Sequence, residues 1–564
     1  MAGCILITCG AISKTRAQSP GASAAEIHRR VDSLFAAWDK PNSPGCALGV
    51  IQNGGLIYSR GYGIANLEYG ILISASSVFN IGSLSKQFTA ACIVLLSQRG
   101  KLTLDDDIRK YIPEIPDYGK DITIRHLLNH TSGLRDYPNL LVLAGRQLEQ
   151  VVTPDDALDV IARQKQLNFN PGEEWLYSNT GYFLASLIVK RVSGMPLSKF
   201  ARENIFLPLG MTNTMILDDH TTIVPHRATG YSPRVGGGFQ VNMSNWEQAG
   251  DGGIQTSLED LVHWDNNFTD PKVGGHGLIE QLLTPGKLNN REILHYALGL
   301  EIGKYKGLDM ISHEGIWSGY RSAYIRFPEQ KLSVICLCNL STMNPVSLTR
   351  QVADLYLEGQ LKVDNHIDAR LPDAPGPLML TQGQLSRYSG SYRSPAGELI
   401  RNIVVKTGKL VYVRGPSSES ALAPMTRDRF RMMDVPIETE VTFMSDSLDK
   451  VSGMRVESSD GTTVVFESCV PATPSQEQLL EYTGTFHSEE LGVNYVIARR
   501  DSQLIVRIGR SETNPMSPTV ADIFKIEGFA VFRFTRDNMS AIDGFLLSQS
   551  KIRNLMFRKL STDL

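Results

Sequence analysis

Three Ser-x-x-Lys tetrads occur in the chain, Ser83/Lys86, Ser447/Lys450 and Ser548/Lys551. Only the first runs directly into an apolar stretch of helical character, Gln87 to Gln98 (QFTAACIVLLSQ). At a helix start, residues three apart share one face, so Ser83 and Lys86 are expected side by side. Burial disfavours the charged form of a lysine, which can then take the proton of an adjacent hydroxyl and make it a nucleophile. The serine amide would join the unpaired donors of the helix start, which favour developing negative charge. Taken alone, the tetrad also reads as a helix-capping serine beside a solvated lysine. The tetrads at Ser447 and Ser548 lie in turn-like or strand-like text and are read as solvated surface.

A second element is Tyr177-Ser178-Asn179, presented after the turn Pro171-Gly172. A phenol close to a lysine ammonium can take the serine proton or protonate a leaving group. Tyr137-Pro138-Asn139 has the same Tyr-x-Asn spacing, but its central proline suits a turn after His130-Thr131-Ser132-Gly133-Leu134, so Tyr137 is read as a pocket wall. The third element should be a strand bearing a positive group and an oxyanion amide. A literal Lys406-Thr407-Gly408 exists, yet Ile403 to Val411 reads as a hairpin around a glycine turn in a separate β region. The better candidate is His313-Glu314-Gly315, which precedes Trp317-Ser318-Gly319-Tyr320 and opens a pair of strands.

The ordered set Ser83-x-x-Lys86, Tyr177-x-Asn179 and His313-x-Gly315 resembles the class C β-lactamase and penicillin-binding protein superfamily of serine hydrolases. His126-Leu127-Leu128-Asn129-His130-Thr131-Ser132-Gly133-Leu134 resembles another of its hallmarks, and the match spans roughly residues 28 to 360. The His-x-Gly variant and a β-rich C-terminal third look most like the D-aminopeptidase and family VIII esterase branches. The resemblance implies an acyl-enzyme on Ser83, proton transfer by Lys86 and Tyr177, and oxyanion donors at Ser83 and Ile316. It places Asn179 on the substrate amide or on Lys86, with Gly315, Tyr137 and Trp317 around the substrate; Trp317 could equally pack beneath the site. The expected substrate is a small molecule or short peptide, a D-amino-acid peptide or a small ester, with no cofactor or metal. A class C-type β-lactamase is the alternative, weakened because His313 stands where Lys-Thr-Gly is usual. A penicillin-binding sensor that acylates without turnover is a third.

Other suggestive residues have plainer readings. His126 and His130 have the i, i+4 spacing of a zinc pair, but Leu127 replaces the glutamate of a metalloprotease. Glu173 and Glu174 beside the Pro-Gly turn are read as solvated, and Asp105-Asp106-Asp107 as a helix start.

These residues need a frame. The 564 residues, 42% hydrophobic and 20% charged, are those of a globular chain of several domains. A net charge of −3 offers no field for nucleic acid, and no apolar run is long enough for a transmembrane helix. The seven cysteines make no disulfide framework, and Cys336 and Cys338 alternate on one face of a strand. Residues 1–25 look like an incomplete leader, with Thr15-Arg16-Ala17 as a cleavage site, and suggest export to a periplasmic or extracellular space. Residues 26–362 are expected to form one α/β domain of β-lactamase-like fold, an antiparallel sheet flanked by helices with a helical subdomain. Its first strands (Cys46 to Ile51 and Leu56 to Tyr62) should share that sheet with its last (Tyr320 to Phe327 and Lys331 to Leu340).

A linker over residues 363–382 leads to an internal repeat. Tyr388, Gly390, Tyr392 and Asp428 recur at an offset of 94 as Tyr482, Gly484, Phe486 and Asp522. Two barrel-like, lipocalin-like all-β domains are therefore expected at 383–470 and 476–564, joined by 471–475. They are spacers, a surface for homo-oligomers, or the source of a loop that reaches over the site and restricts substrate size.

Overall fold

The computed structural model describes residues 23–361 and 380–561, apart from 395–398, 416–417, 434, 436–438, 459–462 and 510–512. The leader-like segment and the linker fall largely outside the described residues.

Strands Cys46–Gln52 and Gly55–Tyr62 are joined through Asn53 and Gly54, at φ 51° and 80°. Two successive left-handed residues are what a tight right-twisted hairpin requires. The sheet has six strands, in the order Glu301–Tyr305, Leu308–Trp317, Tyr320–Phe327, Leu332–Cys338, Cys46–Gln52, Gly55–Tyr62. The first strands of the domain thus pair with its last, as expected, with Cys46 opposite Cys338 and Gln52 opposite Leu332.

Side chains alternate across such a sheet. Cys46, Leu48, Val50, Val334 and Cys336 face a core shared with Val31 and Phe35 of helix Ala24–Phe35 and with Leu348 and Val352 of helix Pro345–Tyr356. Ala47, Ile51, Ile335 and Leu337 belong to the opposite core, which holds helix Lys86–Gln98. Every residue from Lys86 to Leu96 is buried, so this is a central helix enclosed on all sides rather than one with a solvent face. Cys336 and Cys338 do share a face, and the sheet adds Cys46; the three Sγ atoms lie within 4.8 Å of one another in the apolar core.

The last third forms two closed eight-stranded antiparallel barrels, the first running from Gly390–Arg393 to Thr463–Cys469 and the second from Gly484–Ser488 to Ile552–Lys559. In each, the first strand closes on the last, which leaves no free sheet edge. The repeat is visible in side-chain bonds: Tyr388 Oη donates to Asp428 at 2.7 Å, and its equivalent Tyr482 Oη donates to Asp522 at 2.9 Å. Each barrel is preceded by a short helix with a reciprocal cap, Thr381 with Gln384 and Ser475 with Gln478.

The two copies pack differently. The first barrel has a core of its own, including Tyr388, Tyr392, Phe430 and Phe443. The core of the second, including Tyr495, Phe532, Phe545 and Phe557, is continuous with that of the α/β domain. Tyr495 Oη donates to the Leu143 carbonyl at 2.7 Å. The Arg135 guanidinium, 2% exposed, donates to the Glu490 carboxylate at 2.6 Å inside this seam. Among the described residues no helix is long and apolar enough to cross a membrane.

Candidate functional site

Ser83 sits in a tight turn, Gly82–Ser85, that feeds helix Lys86–Gln98. Strand Leu308–Trp317 runs against this turn. Its pairing with Glu301–Tyr305 stops at Ser312, so His313 to Trp317 present a free edge to Ser83. Two glycines permit the approach. Gly82 has φ 52°, and a Cβ there would lie 2.7 Å from the Ile316 amide nitrogen. A Cβ on Gly315 would lie 1.9 Å from the Ile81 carbonyl oxygen. The Ile316 amide is thereby brought beside Gly82 and Ser83, the arrangement an oxyanion site requires.

Lys86 is fully buried, and its Nζ donates to Ser83 Oγ at 3.0 Å, Asn179 Oδ1 at 2.8 Å and the Asp251 carbonyl at 2.7 Å. Asn179 thus meets Lys86, one of the two partners the resemblance allowed for it. Burial pushes the Lys86 ammonium down to about 7; the Asp251 carboxylate opposes that shift and Lys551 adds to it. Burial raises the Asp251 carboxyl, and Lys86 opposes it. The Tyr177 ring lies 5.0 Å from Lys86 Nζ, and burial holds its phenol well above the ordinary value, against a hydrogen bond with Ser83.

Asn179 opens helix Asn179–Ser193, and its amide donates to Asp136 Oδ1 at 2.6 Å. A carboxylate there satisfies a helix donor that the Ser178 side chain leaves unused. Tyr137 does line the cleft, although it begins a helix, Tyr137–Leu143, rather than occupying a bare turn; its hydroxyl donates to Asp251 Oδ2 at 3.0 Å. The cleft, of about 270 Å³, is lined by Ser83, Asp136, Tyr137, Asn179, Asp251, Ile316, Trp317 and Lys551 among others. Trp317 and Trp246 form its apolar wall with ring centroids 5.7 Å apart.

His313 belongs to the same cluster, with its ring 6.2 Å from that of Tyr177. The positive group expected on this strand is not there. Burial and the Lys86 charge lower His313 to about 3, against the bond to the Glu314 carbonyl. Nδ1 lies 2.6 Å from that carbonyl and must donate to it, so Nε2 accepts from Tyr296 Oη at 3.0 Å. His313 is a neutral ring locked at both nitrogens. His130 packs on Tyr177 at 4.2 Å, and His126 caps its own helix with Thr123, so neither is placed as half of a zinc pair. Lys406 is ion-paired with Glu419 on the first barrel, beside a turn formed by Thr407 and Gly408 at φ 48° and 74°.

One sequence reading fails outright. The Ser548 tetrad is not solvated surface: Ser548 is buried and accepts the Asn554 amide at 3.1 Å, while Lys551, at the tip of the last hairpin of the second barrel, lines the cleft. Its Nζ is 4.7 Å from the Tyr177 ring centroid. Asp136, Asp251 and Trp246 also went unread. A signal existed for Asp251, a lone carboxylate inside Gly250-Asp251-Gly252-Gly253, and for Asp136, which adjoins Tyr137. Nothing in the local sequence pointed to Lys551. Glu174, expected to be solvated, is ion-paired with Arg553 of the same hairpin. Among the described residues the clusters with three metal-type ligands are the buried thiols of the sheet and Asp219, His220 and Glu247; neither lines the cleft.

The family model Beta-lactamase matches residues 31–375. Penicillin-binding protein 4* of Bacillus subtilis (strain 168) is 29% identical over 418 residues, 70% of this chain and 89% of that protein. A D-aminopeptidase of Gluconobacter oxydans (strain 621H) is 27% identical over 444 residues, 75% of this chain and 82% of that protein. The octameric penicillin-binding protein homologue from Pyrococcus abyssi superposes with a TM-score of 0.55 at 22% identity, over 79% of this chain and 100% of that one. The chain, with Ser83 beside the buried Lys86 and against the free edge of a strand, belongs to the beta-lactamase family.

Proposed function

We propose that the protein is a serine hydrolase that cleaves an amide or ester bond through an acyl-enzyme on Ser83. The observation that carries this reading is Lys86 Nζ, 3.0 Å from Ser83 Oγ, in surroundings that favour the neutral amine. Ser83 Oγ attacks the substrate carbonyl carbon as its proton passes to Lys86. The oxyanion is held by the amides of Ser83 and Ile316. The leaving group departs with a proton delivered by way of Lys86 and Tyr177. Water then attacks the acyl ester and frees Ser83.

Lys86 is assigned as the base over Tyr177 because burial lowers the one and raises the other. A general base works best with its pKa near the working pH. His313 packs against Tyr177 and orders it through Tyr296 without carrying charge. The substrate class we favour, a D-amino-acid peptide or amide or a short acyl ester, is supported by the likeness to a D-aminopeptidase and by the lack of a strand-borne cation at His313.

A fluorophosphonate probe labels the parent protein and fails to label Ser83→Ala; labelling of that variant overturns the reading. Steady hydrolysis of D-alanyl amides, short esters or a chromogenic cephalosporin then identifies the bond, and a burst without turnover identifies a sensor. Removing the ring of His313 (His313→Ala) lowers kcat by roughly tenfold to a hundredfold through loosened positioning of Tyr177. Lys406→Ala leaves the rate at the parent value. The opposite pattern would return the third element to Lys406.

A further inference from the structure

We propose that Lys551, delivered by the second barrel, is the anion-binding group of the cleft, and that the preferred substrates carry a carboxylate near the scissile bond. This rests on the acyl-enzyme reading of the same cleft and adds the charge of its substrate.

Among the described residues that line the cleft, Lys551 is the one basic side chain. Among the described residues no hydrogen bond or ion pair engages its Nζ; its recorded contact is the face of the Tyr177 ring at 4.7 Å. Among the described residues the nearby carboxylates make no ion pair with Lys551, although the second oxygens of Asp136 and Asp251 are buried without a hydrogen-bond partner. Asp136 accepts the Asn179 amide, Asp251 accepts the Tyr137 hydroxyl, and Glu174 is paired with Arg553. The other candidate cations of the site are also spoken for. Lys86 serves as a base only as the neutral amine, and His313 is neutral and bonded at both nitrogens. A free ammonium in a partly enclosed cleft is a strong partner for a carboxylate, because charge-assisted bonds there are poorly screened.

The lysine is also held in place. Asn168 Nδ2 donates to the Lys551 carbonyl at 3.0 Å, and Asn168 Oδ1 accepts the Arg553 amide at 2.8 Å. Arg135 donates to the Arg553 carbonyl at 2.9 Å and is itself fixed by Glu490. All three bonds to the hairpin use its backbone, so the Lys551 side chain can be exchanged without undoing them. The α/β domain thus clamps a loop of another domain so that one cation stands over its proton-transfer tyrosine.

Two matched ester pairs locate the carboxylate. 3-Acetoxybenzoate against its methyl ester places it on the leaving group, and p-nitrophenyl hydrogen glutarate against p-nitrophenyl methyl glutarate places it on the acyl group. The parent enzyme prefers the charged member of at least one pair, by kcat/KM, and added salt weakens the preference. In Lys551→Met that ratio falls by on the order of tenfold to a hundredfold. Lys551→Arg keeps most of it, and Lys551→Glu reverses it. Fluorophosphonate labelling of all three variants confirms that each is folded.

A parent with no preference in either pair overturns the proposal, as does a ratio that is the same in parent and Lys551→Met. An equal fall on both members, with a displaced pH profile, also overturns it and leaves Lys551 acting only on Lys86. The acyl-enzyme reading fails separately: it falls if Ser83→Ala hydrolyses these esters at the parent rate, whatever Lys551 does.

Discussion

Replacing Lys86 by methionine lowers kcat on an activated ester by on the order of 10⁴-fold or more, with Ser83 still in place. Methionine fills much of the same volume and removes the group proposed to receive the Ser83 proton, so the expected loss is chemical rather than architectural. General-base catalysis contributes up to roughly 10⁴, and nucleophile and base behave as one unit. In the proposed mechanism, the neutral amine of Lys86 must be present for attack. Since burial holds Lys86 at about 7, kcat/KM rises with pH and levels off above that value. The Asp251 charge pulls the same group upward, so Asp251→Asn moves this limb to lower pH. A pH–rate profile of the parent, Lys86→Met and Asp251→Asn checks both statements. A Lys86→Met enzyme within tenfold of the parent would remove Lys86 from the chemistry.

Glu490→Ala destabilises the protein by about 3–5 kcal/mol, the cost of leaving a buried guanidinium without its counter-ion. The Arg135 and Glu490 side chains are 1% and 6% exposed, and the same carboxylate accepts the Lys165 amide at 2.8 Å. Arg135 also donates to Gln164 and to the hairpin carbonyls, so these bonds loosen as well. The double variant Arg135→Met/Glu490→Leu recovers much of the loss because it removes both charges from the interior. Urea unfolding of the three proteins measures this, and a single-variant effect below about 1 kcal/mol would show that the seam carries little. Deleting residues 476–564 as a test of substrate range follows the same logic. It would strip a shared core and leave Arg135 unpaired, so the expected product is an insoluble α/β domain, not a broadened enzyme. Exchange of Lys551 alone is the cleaner intervention.

The fold was legible where periodicity and turn chemistry agreed. Asn53-Gly54, the alternating strands, the apolar run after Lys86 and the 94-residue offset each recur in the structure as local features. Ser83, Lys86 and Tyr177 could be found because each lies in a short segment whose neighbours constrain it. The charge state of His313 could not, because it depends on burial and on Tyr296, a residue far from any motif. Cys46 was separated from its two thiol neighbours for the same reason: a sheet joins strands that the chain keeps nearly three hundred residues apart. Lys551 was hidden most completely. Its tetrapeptide resembles a surface hairpin, and only the docking of the barrel, through Asn168 and Arg135 on other elements, turns its tip inward.

That docking has a consequence for how the enzyme comes into being. The hairpin that carries Lys551 follows every other described element in the chain, whereas the Ser83–Lys86 pair lies near the start of the α/β domain. Domains of a growing chain tend to fold as units, those nearer the amino end first. Ser83 is therefore synthesised long before the Lys551 cation that stands over the Tyr177 ring, and an independent barrel must emerge between them. Until the last hairpin leaves the ribosome, Arg135 lacks the Arg553 and Asn554 carbonyls, the barrel that carries Glu490 cannot close and the apolar seam stays open, so the end of translation sets when the cleft is completed.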